Sequence, residues 1–191
     1  MRFTVYGAAS KEISADMIKK NEELGSLIAR RGHGVVFGGG ASGMMGAVAR
    51  GVRAEKGELI GIAPRFFSAD GLLFPDCTEL IRTDTMRERK QILEEKADGF
   101  IITPGGIGTF DEFFEILTLR SLGRHTKPIV IYDMEGYYSA LEALLDKAVE
   151  GKFMTPAAKE LCKFFTDPEE MLEYLESFEG TTVRVEEMKK V

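Results

Sequence analysis

The sequence predicts an α/β fold, a doubly wound and mostly parallel sheet with helices on both faces, in one domain spanning residues 1–191. Three observations lead there. Short runs of β-branched and aromatic residues alternate with longer amphipathic stretches, two of these runs end in glycine-rich turns, and each turn opens into a helical pattern. Parallel strands joined by right-handed crossovers bury such runs economically and place ligands at the carboxyl ends of the strands. A chain of 191 residues can bury roughly 70% of its unfolded surface, enough for one core.

Taken in order, Arg2–Tyr6 reads as the first strand, and Ser14–Arg31 as a helix with Met17, Leu24, Leu27 and Ile28 on one stripe. Val35–Phe37 is the second strand, followed by Gly38-Gly39-Gly40-Ala41-Ser42-Gly43-Met44-Met45-Gly46 and a short helix rich in small residues over Met44–Lys56. Leu59–Ala63 is the third strand. Pro64–Asp76 has no clear period, carries Phe66, Phe67, Gly71, Phe74 and Pro75, and reads as a packed surface loop in preference to an active-site flap. Strands at Glu79–Arg82, Phe100–Thr103 and Ile129–Tyr132 then alternate with helices at Thr85–Lys96, Thr109–Leu122 and Tyr138–Glu150. From Pro168 a helix-like pattern with Met171, Leu172 and Leu175 leads into the charged segment Val185–Val191, expected to fray.

Composition excludes several function classes. With 25 Lys+Arg against 31 Asp+Glu the formal charge is −6, so no nucleic acid and no acidic membrane surface is expected as a partner, and any anion must be held locally. Cys77 and Cys162 are the only cysteines. With no basic-then-apolar leader and no apolar stretch near about 18 residues, a reducing cytoplasmic setting is expected. With only His33 and His125, a Cys/His zinc site or a serine triad lacks raw material, and no metal is expected.

The chemistry concentrates in Thr103-Pro104-Gly105-Gly106-Ile107-Gly108-Thr109-Phe110-Asp111-Glu112. Three glycines between a strand and a helix let backbone N–H groups close on an anion, and a helix start adds roughly half a positive charge, so the run reads as a phosphate cradle. An acidic side chain beside a phosphate is electrostatically awkward unless it has chemical work, and cleavage of a glycosidic bond would supply it. Glu112 has a second reading, because Thr109 and Glu112 also match a capping box. Upstream, the glycine run at 38–46 contains a G-x-G-x-x-G spacing, but the following strand ends in Pro64-Arg65 with no acidic residue for a ribose, which disfavours NAD. That run is either a tight turn or a second wall of a nucleotide pocket. In Asp84-Thr85-Met86-Arg87-Glu88-Arg89-Lys90, Thr85 and Glu88 match a capping box that would put three cations in the first five helical positions. Such crowding opposes the helix dipole and points to an anion nearby. Either Lys90 pairs with Glu94 across one turn on a solvated face, or Arg89 is a phosphate and ribose contact.

These residues carry a resemblance. Pro104–Glu112 matches the P-G-G-x-G-T-x-x-E signature of the LONELY GUY (LOG) family, and Met86-Arg87-Glu88-Arg89-Lys90 resembles its M-x-x-R-K element at matching separation. Further likeness runs through the glycines at 38–46, Ile62-Ala63-Pro64, Lys127-Pro128-Ile129 and Gly136-Tyr137-Tyr138 and covers residues 2–165. The resemblance implies a Rossmann-like fold and a cytokinin riboside 5′-monophosphate phosphoribohydrolase, which would release a free base and ribose 5-phosphate. No cofactor is implied, and the assembly would be a homodimer or larger. It further implies that Arg89 and Glu112 are catalytic and that Gly105, Gly106, Gly108 and Thr109 bind the 5′-phosphate; Ser10, Gly39, Gly40, Met86 and Lys90 are the further candidates for contact with the nucleotide. Met86, Phe66 and Phe67 would form the walls around the base. The chain departs from the family pattern at Arg87, where many relatives have His, and at Ala8-Ala9-Ser10, where they have Gly-Ser-Ser, leaving Ser10 as the remaining hydroxyl. The alternative is a non-catalytic nucleotide or molybdopterin-type carrier on a related fold.

Overall fold

In the computed structural model, which describes residues 1–67, 70–180 and Met188, the expected apolar runs become strands β1 (Arg2–Tyr6), β2 (Gly34–Phe37), β3 (Leu59–Pro64), β4 (Glu79–Thr83), β5 (Gly99–Ile102) and β6 (Ile129–Tyr132). A further strand, β7 (Cys162–Phe165), completes a seven-stranded sheet in the order β4-β3-β2-β1-β5-β6-β7. Every neighbouring pair is parallel. The chain winds outward from β1 to one edge, returns to β5 beside β1, and winds to the other edge. Between β1 and β5 the two windings diverge, and their following loops leave a crevice at the carboxyl ends of the strands.

The helices are α1 (Ala15–Arg30), α2 (Gly43–Ala54), α3 (Met86–Glu95), α4 (Ile107–Ser121), α5 (Ser139–Glu150), α6 (Pro156–Lys159) and α7 (Pro168–Ser177). Strand side chains alternate between two layers, as period 2 requires. Phe3, Val5, Val35, Phe37, Ile101 and Val130 join α1, α2 and α7 on one face. Val36, Phe100, Ile102, Ile129 and Ile131 join α3, α4 and α5 on the other. Central strands buried on both faces carry the continuous Val/Ile/Phe runs that made them legible.

The unexpected elements are those with the weakest patterns. β7 is a half-buried edge strand containing Lys163, so it offers no apolar run. α6 is a single turn, although Thr155 as cap and Pro156 at the first helical position mark its start. α4 begins at Ile107 with Gly106 as its cap, two residues before the expected start at Thr109. The connection from β3 to β4 carries no helix among its described residues; it is the packed loop expected over Pro64–Asp76. Phe74 packs edge-on against Phe37 with centroids 6.4 Å apart, Leu73 bridges Gly40, and the Arg82 guanidinium donates to the carbonyls of Pro64, Arg65 and Phe67 at 3.0–3.2 Å. The expectation for Val185–Val191 lies outside the described residues apart from Met188.

α1 and α2 cross at backbone contact. A Cβ at Gly25 would sit 2.2 Å from the Val48 carbonyl oxygen, and one at Gly51 would sit 1.9 Å from that of Glu22. Helix propensity alone predicts that Gly51→Ala stabilises by up to about 1 kcal/mol. Because the clash is with backbone, the expected outcome is the opposite, a loss of about 1–3 kcal/mol on thermal or urea unfolding.

Candidate active site

The site is built from two helix starts that face each other across the crevice. α3 opens with the expected cap: Thr85 Oγ1 accepts the Glu88 N–H at 3.1 Å. The Glu88 carboxylate reaches back to the Asp84 N–H at 2.8 Å, one residue before the cap. This fixes the first turn and sends Arg89, only 5% exposed, beneath the end of β3. Its Nε donates to the Ile62 carbonyl at 3.1 Å and its Nη1 to Glu112 Oε1 at 2.6 Å. The space it fills exists because residue 38 is glycine: a Cβ there would lie 2.0 Å from Arg89 Nη2.

Glu112 is the sixth residue of α4 and is 9% exposed. The capping-box reading for it therefore fails, because α4 starts before Thr109 and the Glu112 side chain turns to Arg89 instead of to its own backbone. Burial pushes the Glu112 carboxyl above the usual carboxylate range against the pull of Arg89. A buried ion pair contributes little net stability, since desolvation consumes most of the Coulombic gain. Such a pair beside a cleft, with a shifted carboxyl, marks a functional site.

The cleft has a volume of about 460 Å³ and is lined by Gly7, Ala8, Ala9, Ser10, Met45, Phe67, Met86, Arg89, Gly106, Gly108, Thr109, Asp111 and Glu112. That size falls in the range of small-molecule sites, about 300–1,000 Å³. A larger hollow of about 750 Å³ lies at the other end of the sheet, around Met1, His33 and Asp98. Its charges pair with one another, as Arg2 does with Glu58 at 2.8 Å. Met45, Phe67 and Met86 supply the large apolar side chains of the cleft lining.

Of the residues singled out in the sequence, Arg89, Glu112, Gly106, Gly108, Thr109, Ser10 and Met86 meet at this cleft. Gly105 stands just behind it, packed so closely on Thr109 that a Cβ would come within 2.1 Å of Oγ1. Lys90 is directed elsewhere: its Nζ pairs with Asp111 at 3.0 Å and Glu115 at 2.7 Å, away from Glu94 and from the cleft lining. Those carboxylates and Glu112 are the anions that offset Lys90 and Arg89. Gly39 and Gly40 also lie outside the lining. Gly39, at φ +76°, makes the turn, and its carbonyl accepts the Phe74 N–H at 2.9 Å. The tight-turn reading thus describes these two glycines, while Met45, one turn further on, supplies the wall. Phe67 lines the cleft as expected, but Phe66 is 60% exposed. The sequence marks the run at 38–46 as a candidate pocket wall, but not which of its residues would act: Met45 lines the cleft and Gly38 makes room for Arg89, a residue far along the chain.

Known proteins resemble this chain in sequence and in fold. The family model described as "Possible lysine decarboxylase" matches residues 45–175. The chain is 44% identical over 156 residues to a cytokinin riboside 5′-monophosphate phosphoribohydrolase of Mycobacterium tuberculosis, covering 82% of this chain and 83% of that one. It is 30% identical over 175 residues to the Arabidopsis thaliana protein of the same name, LOG2, covering 92% and 77% respectively. Among solved structures, the molybdenum cofactor carrier protein of Chlamydomonas reinhardtii superposes with a TM-score of 0.68 at 19% identity over 92% of this chain and 95% of that one, a likeness of fold. On its sequence relatives, its two motifs and the family model, this chain belongs to the LONELY GUY (LOG) family.

Proposed function

We propose that the protein is a nucleoside 5′-monophosphate phosphoribohydrolase, cleaving the N-glycosidic bond of a purine nucleotide to free base and ribose 5-phosphate. The observation that carries this reading is the buried Arg89–Glu112 pair, 2.6 Å apart, on the same cleft as the glycine-rich start of α4. Relatives at 44% and 30% identity bear that activity in their names. A carrier would need the phosphate cradle but not a buried carboxylate aimed at the sugar.

The 5′-phosphate docks on the first-turn N–H groups of α4, which have no intrahelical acceptor, assisted by the helix dipole. The apolar wall of Met45, Phe67 and Met86 receives the base. This places the anomeric carbon near Glu112. The C1′–N bond breaks with its electron pair leaving on the base, which takes a proton from solvent, and positive charge develops on the sugar. Glu112 stabilises that charge and accepts a proton from the water that attacks C1′. Its raised pKa suits the second task. Arg89, tied to Ile62 and Glu112, keeps the carboxylate in place and has N–H groups left for the substrate.

A homodimer fits an exposed apolar face on α4 and α5. Phe114, Tyr137 and Leu144 are 40%, 44% and 57% exposed around a hollow that Phe110, Tyr138 and Leu141 also line, and contiguous patches of this kind mark interfaces. Among the described residues no helix is long and apolar enough to cross a membrane. The two free thiols suit a reducing cytoplasm.

Incubation with AMP followed by chromatography should show adenine. Glu112→Gln, which keeps an acceptor for Arg89, should bind AMP within a few-fold of the wild type yet lose about 100-fold or more of its turnover; a variant with most of its turnover intact removes Glu112 from the mechanism. In the pH–rate profile of the wild type, activity should fall on acidification as Glu112 takes up a proton. The midpoint of that limb should lie above the ordinary carboxylate value of about 4.3, since burial raises this group. In light scattering, Leu144→Glu should convert a dimer to monomers.

A further inference from the structure

The phosphate cradle is a loop whose carbonyls all face protein donors. The Thr103 carbonyl accepts the Tyr138 hydroxyl at 2.7 Å, and the Pro104 carbonyl accepts the Ala8 N–H at 3.2 Å. The Gly105 carbonyl accepts the Tyr137 hydroxyl at 2.7 Å, and the Gly106 carbonyl accepts the Phe110 N–H at 3.0 Å. The Gly105 N–H meets the Tyr138 hydroxyl oxygen, whereas among the described residues no hydrogen bond from the Gly106 N–H to a protein acceptor is seen. A trans peptide is planar, so its C=O and its N–H point in opposite directions, and no peptide here is cis. Holding a carbonyl on the protein side therefore aims the N–H of the next residue the other way.

The two tyrosines do different things by this rule. Tyr138 holds the peptide between Thr103 and Pro104, which has no N–H to aim, and its hydroxyl oxygen occupies the Gly105 N–H, so it frees no donor for an anion. Tyr137 holds the peptide between Gly105 and Gly106, and Gly106 lines the cleft. We propose that Tyr137 is a positioning residue for phosphate recognition, its hydroxyl fixing the Gly105 carbonyl so that the Gly106 N–H points at the phosphoryl oxygens. Gly106 has no side chain to fix this orientation, and the wide conformational freedom of glycine makes an external tether useful. The inference rests on the phosphate reading of the α4 start. Tyr137 is 44% exposed, and Tyr137→Phe removes only the tether while keeping the ring on its apolar face.

The test is calorimetric titration of ribose 5-phosphate into the full chain, with AMP kinetics beside it. Tyr137→Phe should weaken ribose 5-phosphate binding about tenfold, the loss of one charge-assisted hydrogen bond. The KM for AMP should rise by a similar factor with kcat within about threefold, and light scattering should give the mass of the wild type. Tyr138→Phe should instead lower the melting temperature and leave the affinity within about twofold. Unchanged affinity in Tyr137→Phe overturns the proposal, as does an equal loss of affinity in Tyr138→Phe. If Tyr138→Phe does not fold, the comparison of Tyr137→Phe with the wild type decides alone. A wild type that binds ribose 5-phosphate but leaves AMP intact sinks the hydrolase reading while the affinities still judge Tyr137; a wild type that binds neither overturns both.

Discussion

The ion pair of Arg89 with Glu112 is the constraint around which the carboxyl end of the sheet is organised. Two opposite charges more than nine-tenths buried cost several kcal/mol each to desolvate, and only close geometry with further hydrogen bonds offsets that cost. Each neighbouring feature serves the pair. The Thr85 cap starts α3 so that Arg89 falls beneath β3, the Ile62 carbonyl takes its Nε, and Gly38 leaves room for its Nη2. Lys90, one residue on, ties α3 to α4 through Asp111 and Glu115. The helix that carries Glu112 is thereby held at a fixed distance from the helix that carries Arg89.

Sheet topology decides where this pair sits. β1 and β5 are adjacent and parallel, yet their connections leave toward opposite faces. The crevice between them receives the loop after β1, the start of α4 and the wall residues of α2 and α3. The loop between β3 and β4 adds Phe67, brought there by the Arg82 guanidinium, which gathers the carbonyls of Pro64, Arg65 and Phe67. The cleft lining thus combines the start of α4, soft apolar side chains and the buried carboxylate.

Much of this was legible in the sequence, for identifiable reasons. β2, β5 and β6 are buried on both faces, so their composition had to be almost purely apolar. Thr85 and Glu88 announced the start of α3 because capping chemistry is local. The start of α4 was misread at Thr109 for the same kind of reason: Thr109-Phe110-Asp111-Glu112 has the form of a cap, and only the extended backbone of Gly106 and the demand of Arg89 show that the helix is already under way. β7 escaped because a half-buried edge strand can carry Lys163 and needs no continuous apolar run.

What the sequence determined alone is therefore whatever depends on neighbours a few residues apart: strand and helix periods, the α3 cap, the glycine-rich turns and the spacing of the two motifs. Tertiary structure decided which of two local options each ambiguous residue took. Glu112 faces Arg89 instead of its own helix end, Lys90 crosses to α4 instead of pairing along α3, and within the run at 38–40 it is Gly38 that makes room for Arg89. In each case the alternatives are nearly equal in local energy, a few tenths of a kcal/mol to about 1 kcal/mol. The choice falls to the burial of charge, which is larger and is set by residues distant in the chain.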